Sequence, residues 1–387
     1  MHQYSYMDIP APLIKKRLTF NFSKVTLDLD VSQALFSSFT VDKGTKALLN
    51  SLRKNDAIEY TRCLDLGCGY GPIGLFLKKQ DPLRKVELVD RDHLAVLFAA
   101  HNATLNNLDV LTTPSLGYDA TQGNYSLIIT NFPAKASLPG LQAFVYGASQ
   151  RLTEHGTIAV VIVRELIALM EKVLDHEHIR VTYEEHKKGH SIYHIQFTQP
   201  ITPPKNPYTR GTLAVPLTTK TLLETAYGLH EFDTLSFGSQ ALIKLLKNVP
   251  PAQHVFALEP GQGTGSLIAI NAMQPQQLTH CSRDLLSLLV AGNNVKRSTP
   301  LTPTSLGTPF LQQQPTTDLV LWRIDHKKDL EVHKENAKFL RQLPVVMYGK
   351  RSFVTKVAGT QWRLQREDTY KGHCAQYLLP KHLTNHE

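Results

Sequence analysis

Three short groups of residues carry functional groups at spacings that chemistry can use. The first is Cys63-Leu64-Asp65-Leu66-Gly67-Cys68-Gly69-Tyr70-Gly71-Pro72. It reads as a buried strand ending on a carboxylate, then a glycine turn, then a helix opened by Pro72, where no amide donor is needed. Gly67, Gly69 and Gly71 leave out the Cβ atoms that would hold a bound molecule off the backbone. The second is Asp90, nineteen residues beyond Gly71. That is close to the roughly 20-residue interval at which a carboxylate meets a ribose in dinucleotide folds. Turn and carboxylate together point to an adenosine-containing ligand, NAD or S-adenosylmethionine. The turn lacks the Lys-Ser/Thr ending of a P-loop. The third group is Asn131-Phe132-Pro133, which follows the apolar run Leu127-Ile128-Ile129-Thr130. It belongs at the carboxyl edge of a sheet, where open α/β folds bind ligands.

Alternating strands and helices must bring these groups to one edge. The hydrophobic pattern predicts one or two edge strands within residues 1–35, a loop over 36–45 and a helix over 45–52 capped by Gly44 or Thr45. The glycine-turn strand and its helix to about Lys79 come next, then a strand over 85–89 and a helix over 92–107. A strand over 125–130, a helix over 141–152, a strand over 157–163 and a helix over 166–174 follow, with a closing hairpin over 180–185 and 191–197. The alternation defines an α/β unit with a parallel sheet covered on both faces, finished by an antiparallel strand.

At 387 residues the chain exceeds one comfortable domain. Pro200, Pro203, Pro204 and Pro207 mark a linker over 199–217, between a domain at 1–198 and another at 218–387. The two repeat each other. Gly44-Thr45-Lys46-Ala47-Leu48-Leu49 matches Gly238-Ser239-Gln240-Ala241-Leu242-Ile243, and Leu64-Asp65-Leu66-Gly67 matches Leu258-Glu259-Pro260-Gly261, both at an offset of 194. Arg91-Asp92 returns as Arg283-Asp284, Ser115-Leu116-Gly117 as Ser305-Leu306-Gly307, and Lys188-Gly189-His190 as Lys371-Gly372-His373. Matches in the same order across a whole unit indicate a duplicated domain. The second copy has Ser282 where the first has Asp90, and Arg323-Ile324-Asp325 where the first has Asn131-Phe132-Pro133. It keeps the scaffold and drops the polar tools.

The net charge of +9 is uneven: residues 1–200 hold 21 basic and 20 acidic side chains, the remainder 21 and 13. A basic half beside a neutral one suits a polyanionic partner such as RNA. No apolar run is long enough to span a bilayer, and Met1 to Asp8 lacks a basic-then-apolar signal pattern. Cys63, Cys68, Cys281 and Cys374 show no paired metal spacing, and Cys68 inside the glycine turn suits a reduced thiol. A cytoplasmic protein that uses no metal is the expectation.

Phe36-Ser37, Val41-Asp42-Lys43-Gly44-Thr45, the run from Leu64 to Gly71 and Asn131-Phe132-Pro133 together resemble the class I S-adenosylmethionine-dependent methyltransferases of the small-domain (MTS) family. They are similar to that family's ribosomal-RNA guanine-N2 enzymes. The resemblance covers about residues 30–197. It implies two tandem Rossmann-like methyltransferase domains, the second degenerate, with S-adenosylmethionine as cofactor and rRNA or a ribosomal subunit as partner. The family's duplicated rRNA enzymes place their degenerate copy first; here the order is reversed. By resemblance, Asp65 and the backbone of Gly67, Gly69 and Gly71 hold the methionine part of the cofactor. Asp90 holds its ribose, Leu116 with Gly117 flanks its adenine, and Asp42, Gly44 and Thr45 line it from the opposite side. Asn131 borders the cofactor and takes the place of the family's catalytic Asn. With a backbone carbonyl from Phe132, it accepts the N–H bonds of an exocyclic amine, and Pro133 completes the turn. Phe132 stands where the family has Pro, and its ring either stacks on the base or fills the core. The implied reaction is methyl transfer to an exocyclic base amine, foremost guanine N2 in rRNA. Protein glutamine or DNA adenine methylation, and a non-catalytic RNA-binding protein with a vestigial pocket, are the alternatives.

Overall fold

The computed structural model describes residues 7–37, 39–54, 60–217 and 220–381. The chain divides into two units, Met1–Tyr208 and Thr209–Glu387. In the first, strands β1 (Lys16–Phe22) and β2 (Val25–Val31) precede helix α1 (Lys43–Lys54). There follow β3 (Arg62–Leu66), α2 (Pro72–Gln80), β4 (Lys85–Asp90), α3 (His93–Leu105), β5 (Leu111–Pro114) and β6 (Tyr125–Asn131). The unit ends with α4 (Leu138–Ser149), β7 (Leu152–Val163), α5 (Ile167–Leu174), β8 (Ile179–Lys187) and β9 (His190–Phe197).

Seven strands form one sheet in the order β5-β4-β3-β6-β7-β9-β8. The five from β5 to β7 are parallel; β9 runs antiparallel between β7 and β8. Leu64, Leu66, Ile128, Ile158 and Val160 share a core with Leu141 and Val145 of α4 and Met170 of α5. Their strand neighbours face the other way, where Gly74 of α2 comes up against Asp65 and Leu88. Helices therefore cover both faces, as the alternating pattern requires. The strand order reverses between β3 and β6, which opens a crevice at their carboxyl ends. Asp65 and Asn131 stand at those ends.

The N-terminal strands are not an edge of this sheet. They form a separate antiparallel ribbon, β1 with β2, turned through Ser23 and Lys24, both at positive φ. Two asparagines of the α3 segment supply what a neighbouring strand would otherwise offer. Asn102 accepts from the Asp30 N–H at 2.8 Å and donates to the Asp30 carbonyl at 3.0 Å. Asn106 does the same for Asp28 at 3.0 and 2.6 Å.

The second unit repeats the plan. Its elements are β10 (Thr209–Pro216), β11 (Lys220–Ala226), α6 (Phe237–Leu245), β12 (His254–Leu258), α7 (Thr264–Met273), β13 (Gln277–Ser282) and α8 (Leu285–Ser298). They continue with β14 (Thr304–Gly307), β15 (Leu319–Ile324), α9 (Leu330–Leu340), β16 (Val345–Lys350), α10 (Arg351–Ala358), β17 (Trp362–Tyr370) and β18 (His373–Pro380). The sheet order, β14-β13-β12-β15-β16-β18-β17, matches the first strand for strand. Asn294 ties the β10–β11 ribbon through the Glu224 N–H and carbonyl, at 2.9 and 2.8 Å, as Asn102 ties β1–β2. The expected linker over 199–217 is thereby shortened. Residues 209–216 are a strand of the second copy, because the cluster of prolines ends at Pro207 and the ladder to β11 begins at Thr209. Trp322 and Trp362 are buried in the core of this unit. Among the described residues, no helix is long and apolar enough to cross a membrane.

Candidate active site

Asp65 is 1% exposed. Its Oδ2 accepts from the Gly74 N–H at 2.7 Å, while its Oδ1 is buried with no hydrogen-bond partner among the described residues. Burial pushes this carboxyl up to about 7; the Gly74 N–H opposes the shift, and the charge of Asp90 adds to it. A buried acceptor left unsatisfied costs about 1–3 kcal/mol and calls for an explanation. Here the described residues supply no donor to it.

Gly67 and Gly69 have φ of +77° and +57°, and a Cβ at either would meet nothing within 4 Å. These two glycines answer to backbone conformation and leave open space above the turn. Gly71 (φ +91°) is different: a Cβ there would lie 3.0 Å from Leu75 and 3.2 Å from Leu88. Asp90 pins the turn to β4, its Oδ2 accepting from the Gly69 N–H and its Oδ1 from the Asp92 N–H, each at 2.9 Å. Leu116 is buried just beyond β5, beside the strand end that carries Asp90, where the Ser115 N–H donates to the Asp90 carbonyl at 2.9 Å. An orphaned carboxylate oxygen, an open glycine cradle and a half-exposed strand-end carboxylate fit an adenosine-bearing cation such as S-adenosylmethionine.

Asn131 ends β6. Its Nδ2 donates to Asp42 Oδ1 at 3.0 Å and to Thr45 Oγ1 at 3.2 Å. Thr45 Oγ1 donates in turn to Asp42 Oδ2 at 2.7 Å, and the Thr45 N–H donates to Asp42 Oδ1 at 3.0 Å. Chemistry fixes the amide's orientation: a carboxylate only accepts, and the one hydroxyl proton of Thr45 is committed to Asp42. The amide nitrogen must face both, and Oδ1 is left as the acceptor end. Asp42 also caps α1, in place of the expected Gly44 or Thr45. Gly44 lets the capping carboxylate fold back, since a Cβ there would lie 2.9 Å from Asp42 Oδ1 and 3.1 Å from the His190 ring.

Phe132 resolves the choice left open for its ring. It is 5% exposed and meets Phe144 edge-on at 4.8 Å, within the core under α4 and α5. The ring fills the core and does not stack on a base. Its N–H donates to the Val161 carbonyl at 2.9 Å, and Pro133 is exposed at the turn. Among the described residues, no three His, Cys, Asp or Glu side chains converge to hold a metal.

The corresponding cleft of the second unit is closed. Gly261 and Gly263 keep φ of +60° and +90°, but a Cβ at Gly261 would collide with the guanidinium of Arg323. Arg323 lies 3.5 Å from Asp325, Arg283 pairs with Asp329 at 3.2 Å, and Glu259 accepts from Ser282 Oγ at 2.8 Å. The cavity left among them is about 40 Å³. Sequence reasoning found the lost polar groups but missed that Arg323 fills the space. It also missed the bond from Asn131 to Asp42, for which the only available signal was the contrast between Asp42 and Ser236 at matching positions of the two copies.

The sheet order, the crevice at the strand reversal and the glycine turn with its two carboxylates define class I methyltransferase architecture, present in two tandem copies. Residues 26–194 match the family described as methyltransferase small domain. A ribosomal RNA small subunit methyltransferase C of Hahella chejuensis is 35% identical over 145 residues, 36% of this chain and 42% of that protein. The protein of the same description from Photobacterium profundum is 30% identical over 150 residues, 38% of this chain and 43% of the relative. The match thus spans less than half the length of these relatives. The solved structure of a T. thermophilus 16S rRNA N2 G1207 methyltransferase, in complex with AdoMet and guanosine, superposes with a TM-score of 0.67 at 13% identity. It covers 95% of this chain and 99% of that one. At that identity the likeness establishes the tandem fold.

Proposed function

We propose that the chain is an S-adenosylmethionine-dependent methyltransferase acting on an exocyclic amine of a nucleic-acid base, with guanine N2 of rRNA as the target. The observation that carries this reading is the pairing of two incomplete groups at one crevice: the orphaned Oδ1 of Asp65 and the acceptor Oδ1 of Asn131. The first suits the ammonium of the cofactor, with Gly67 and Gly69 giving its chain room and Asp90 and Leu116 bordering its nucleoside. The cofactor supplies a methyl group already activated on a sulfonium. An exocyclic amine is a poor nucleophile because its lone pair is delocalised into the ring. Asn131 Oδ1 and the Phe132 carbonyl accept its two N–H bonds and turn that lone pair toward the methyl carbon. Such positioning is worth up to about 7–11 kcal/mol in favourable cases, and no strong base or metal is required. The relatives named for ribosomal RNA small subunit methylation support rRNA as the substrate class.

The second unit suits RNA contact. Phe237 is 38% exposed, with Lys371 Nζ 5.2 Å from its ring centroid. Lys371 and Lys244 lie 5.5 and 5.3 Å from the Tyr370 ring. Aromatic faces beside cations favour an unpaired strand, and a base must leave its helix to reach the pocket. The test is to incubate the protein with labelled cofactor and unmodified ribosomal subunits, then analyse the nucleosides by mass spectrometry. N2-methylguanosine, absent with Asn131→Ala, is the expected product. Methylated adenine or glutamine would move the substrate assignment, and failure to bind the cofactor would leave a non-catalytic RNA-binding protein.

A further inference from the structure

Asp42, Thr45 and Asn131 close a ring of hydrogen bonds. Asn131 donates to Asp42 and to Thr45, and Thr45 donates to Asp42, at 3.0, 3.2 and 2.7 Å. We propose that Asp42 and Thr45 are positioning residues for Asn131, fixing its amide and polarising its carbonyl, and are not walls of the cofactor cleft. This rests on the reading of Asn131 as the acceptor for the target amine.

An asparagine amide is nearly symmetric in shape. Its flipped form would present N–H groups to the amine it must receive. Against a carboxylate the flip sets oxygen against oxygen, so the ring excludes it. Thr45 is 2% exposed, which keeps water from competing for its hydroxyl. A bond donated to a carboxylate is also stronger than a neutral one, and it draws electron density toward Asn131 Oδ1. As the amine becomes cationic during methyl transfer, that oxygen and the charge behind it stabilise the developing positive charge.

The second copy provides an internal control. Ser236 stands at the position of Asp42, Ser239 at that of Thr45 and Arg323 at that of Asn131. Ser236 Oγ caps α6 by accepting from the Ser239 N–H at 3.0 Å. Helix capping in this scaffold therefore does not call for a carboxylate. The carboxylate is present in the copy that has the asparagine and absent from the copy that lacks it.

Asp42→Asn keeps the cap and the size of the side chain while removing its charge and one acceptor. At saturating RNA and cofactor, kcat should fall about ten- to a hundredfold, as for loss of a charged hydrogen bond. The cofactor Kd from calorimetry should stay within about twofold, because the cleft is untouched. Thr45→Val should lower kcat about tenfold and Thr45→Ser should restore it. Cofactor affinity that weakens in step with kcat/KM while kcat holds would overturn the proposal and return Asp42 to the cofactor wall. A second readout does not need activity: the Asn131 side-chain amide signals, assigned by their loss in Asn131→Ala. A pair protected from exchange in the wild type and collapsed in Asp42→Asn supports the ring; a freely exchanging pair in the wild type refutes it. Protected signals in a protein that methylates no RNA would instead fault the functional reading and leave the ring standing.

Discussion

Lowering the pH from 7 to 5 should weaken S-adenosylmethionine binding about fiftyfold, with Asp65 as the titrating group. Burial holds its carboxyl at about 7 in the ligand-free chain. It is then about half ionised at pH 7 and about one part in a hundred ionised at pH 5. The α-ammonium of the cofactor, like other α-amino groups at about 7.7–8, stays protonated throughout this range. Only the ionised form of Asp65 offers that ammonium a counter-charge at Oδ1. Binding must therefore be coupled to the loss of a proton, and affinity should drop about fivefold from pH 7 to 6 and about ninefold from pH 6 to 5. Calorimetry in two buffers of different ionisation enthalpy reads both the affinity and the released proton. Asp65→Asn should bind weakly at every pH, with no slope and no proton release. A wild-type affinity that is flat from pH 5 to 7, or a slope that survives in Asp65→Asn, would refute the argument.

The same carboxyl acts on stability with the opposite preference. Between pH 4 and 7 the folded chain holds a proton that the unfolded chain releases, so stability falls as pH rises through that window, by up to roughly 4 kcal/mol. At pH 8 Asp65→Asn should consequently melt above the wild type when no cofactor is present, checked by calorimetric scanning. Asn131→Ala should abolish methyl transfer with cofactor affinity within about twofold, since the lost bonds are made to the amine; retained turnover would show that Asn131 is misassigned. A chain ending at Tyr208 should keep cofactor binding and lose most RNA affinity, and RNA binding by the full chain should fall steeply between about 50 and 200 mM salt. Arg323→Ala should destabilise the second unit by about 3 kcal/mol, the range for breaking a buried ion pair. Titration should still count one cofactor per chain, in that variant as in the wild type.

Local features were readable from residue order. The glycine turn, the carboxylate one strand later and the duplicated pattern each depend on spacing, so the α/β plan and its doubling could be derived. Features that need the third dimension were not. Asp42 and Asn131 are 89 residues apart and meet only because α1 starts beside the end of β6. The Phe132 ring was ambiguous because a core aromatic and a stacking aromatic look alike in sequence; its partner Phe144 lies on the next helix. The N-terminal strands were assigned to a sheet edge because nothing in a strand pattern shows that Asn102 and Asn106 can stand in for a neighbouring strand. Thr209 to Pro216 was hidden by its proline-rich approach. Arg323 read as a lost asparagine, although its length lets it reach Gly261.

That guanidinium gives the two halves different thermal behaviour. The rear lobe carries its own filling, so its melting should be indifferent to small molecules. The front lobe keeps the Asp65 carboxyl and the open glycine turn instead, and a cofactor present at a hundred times its Kd should raise its stability by about 2.7 kcal/mol. A scan with and without the cofactor should accordingly split one unfolding profile into a part that moves and a part that does not.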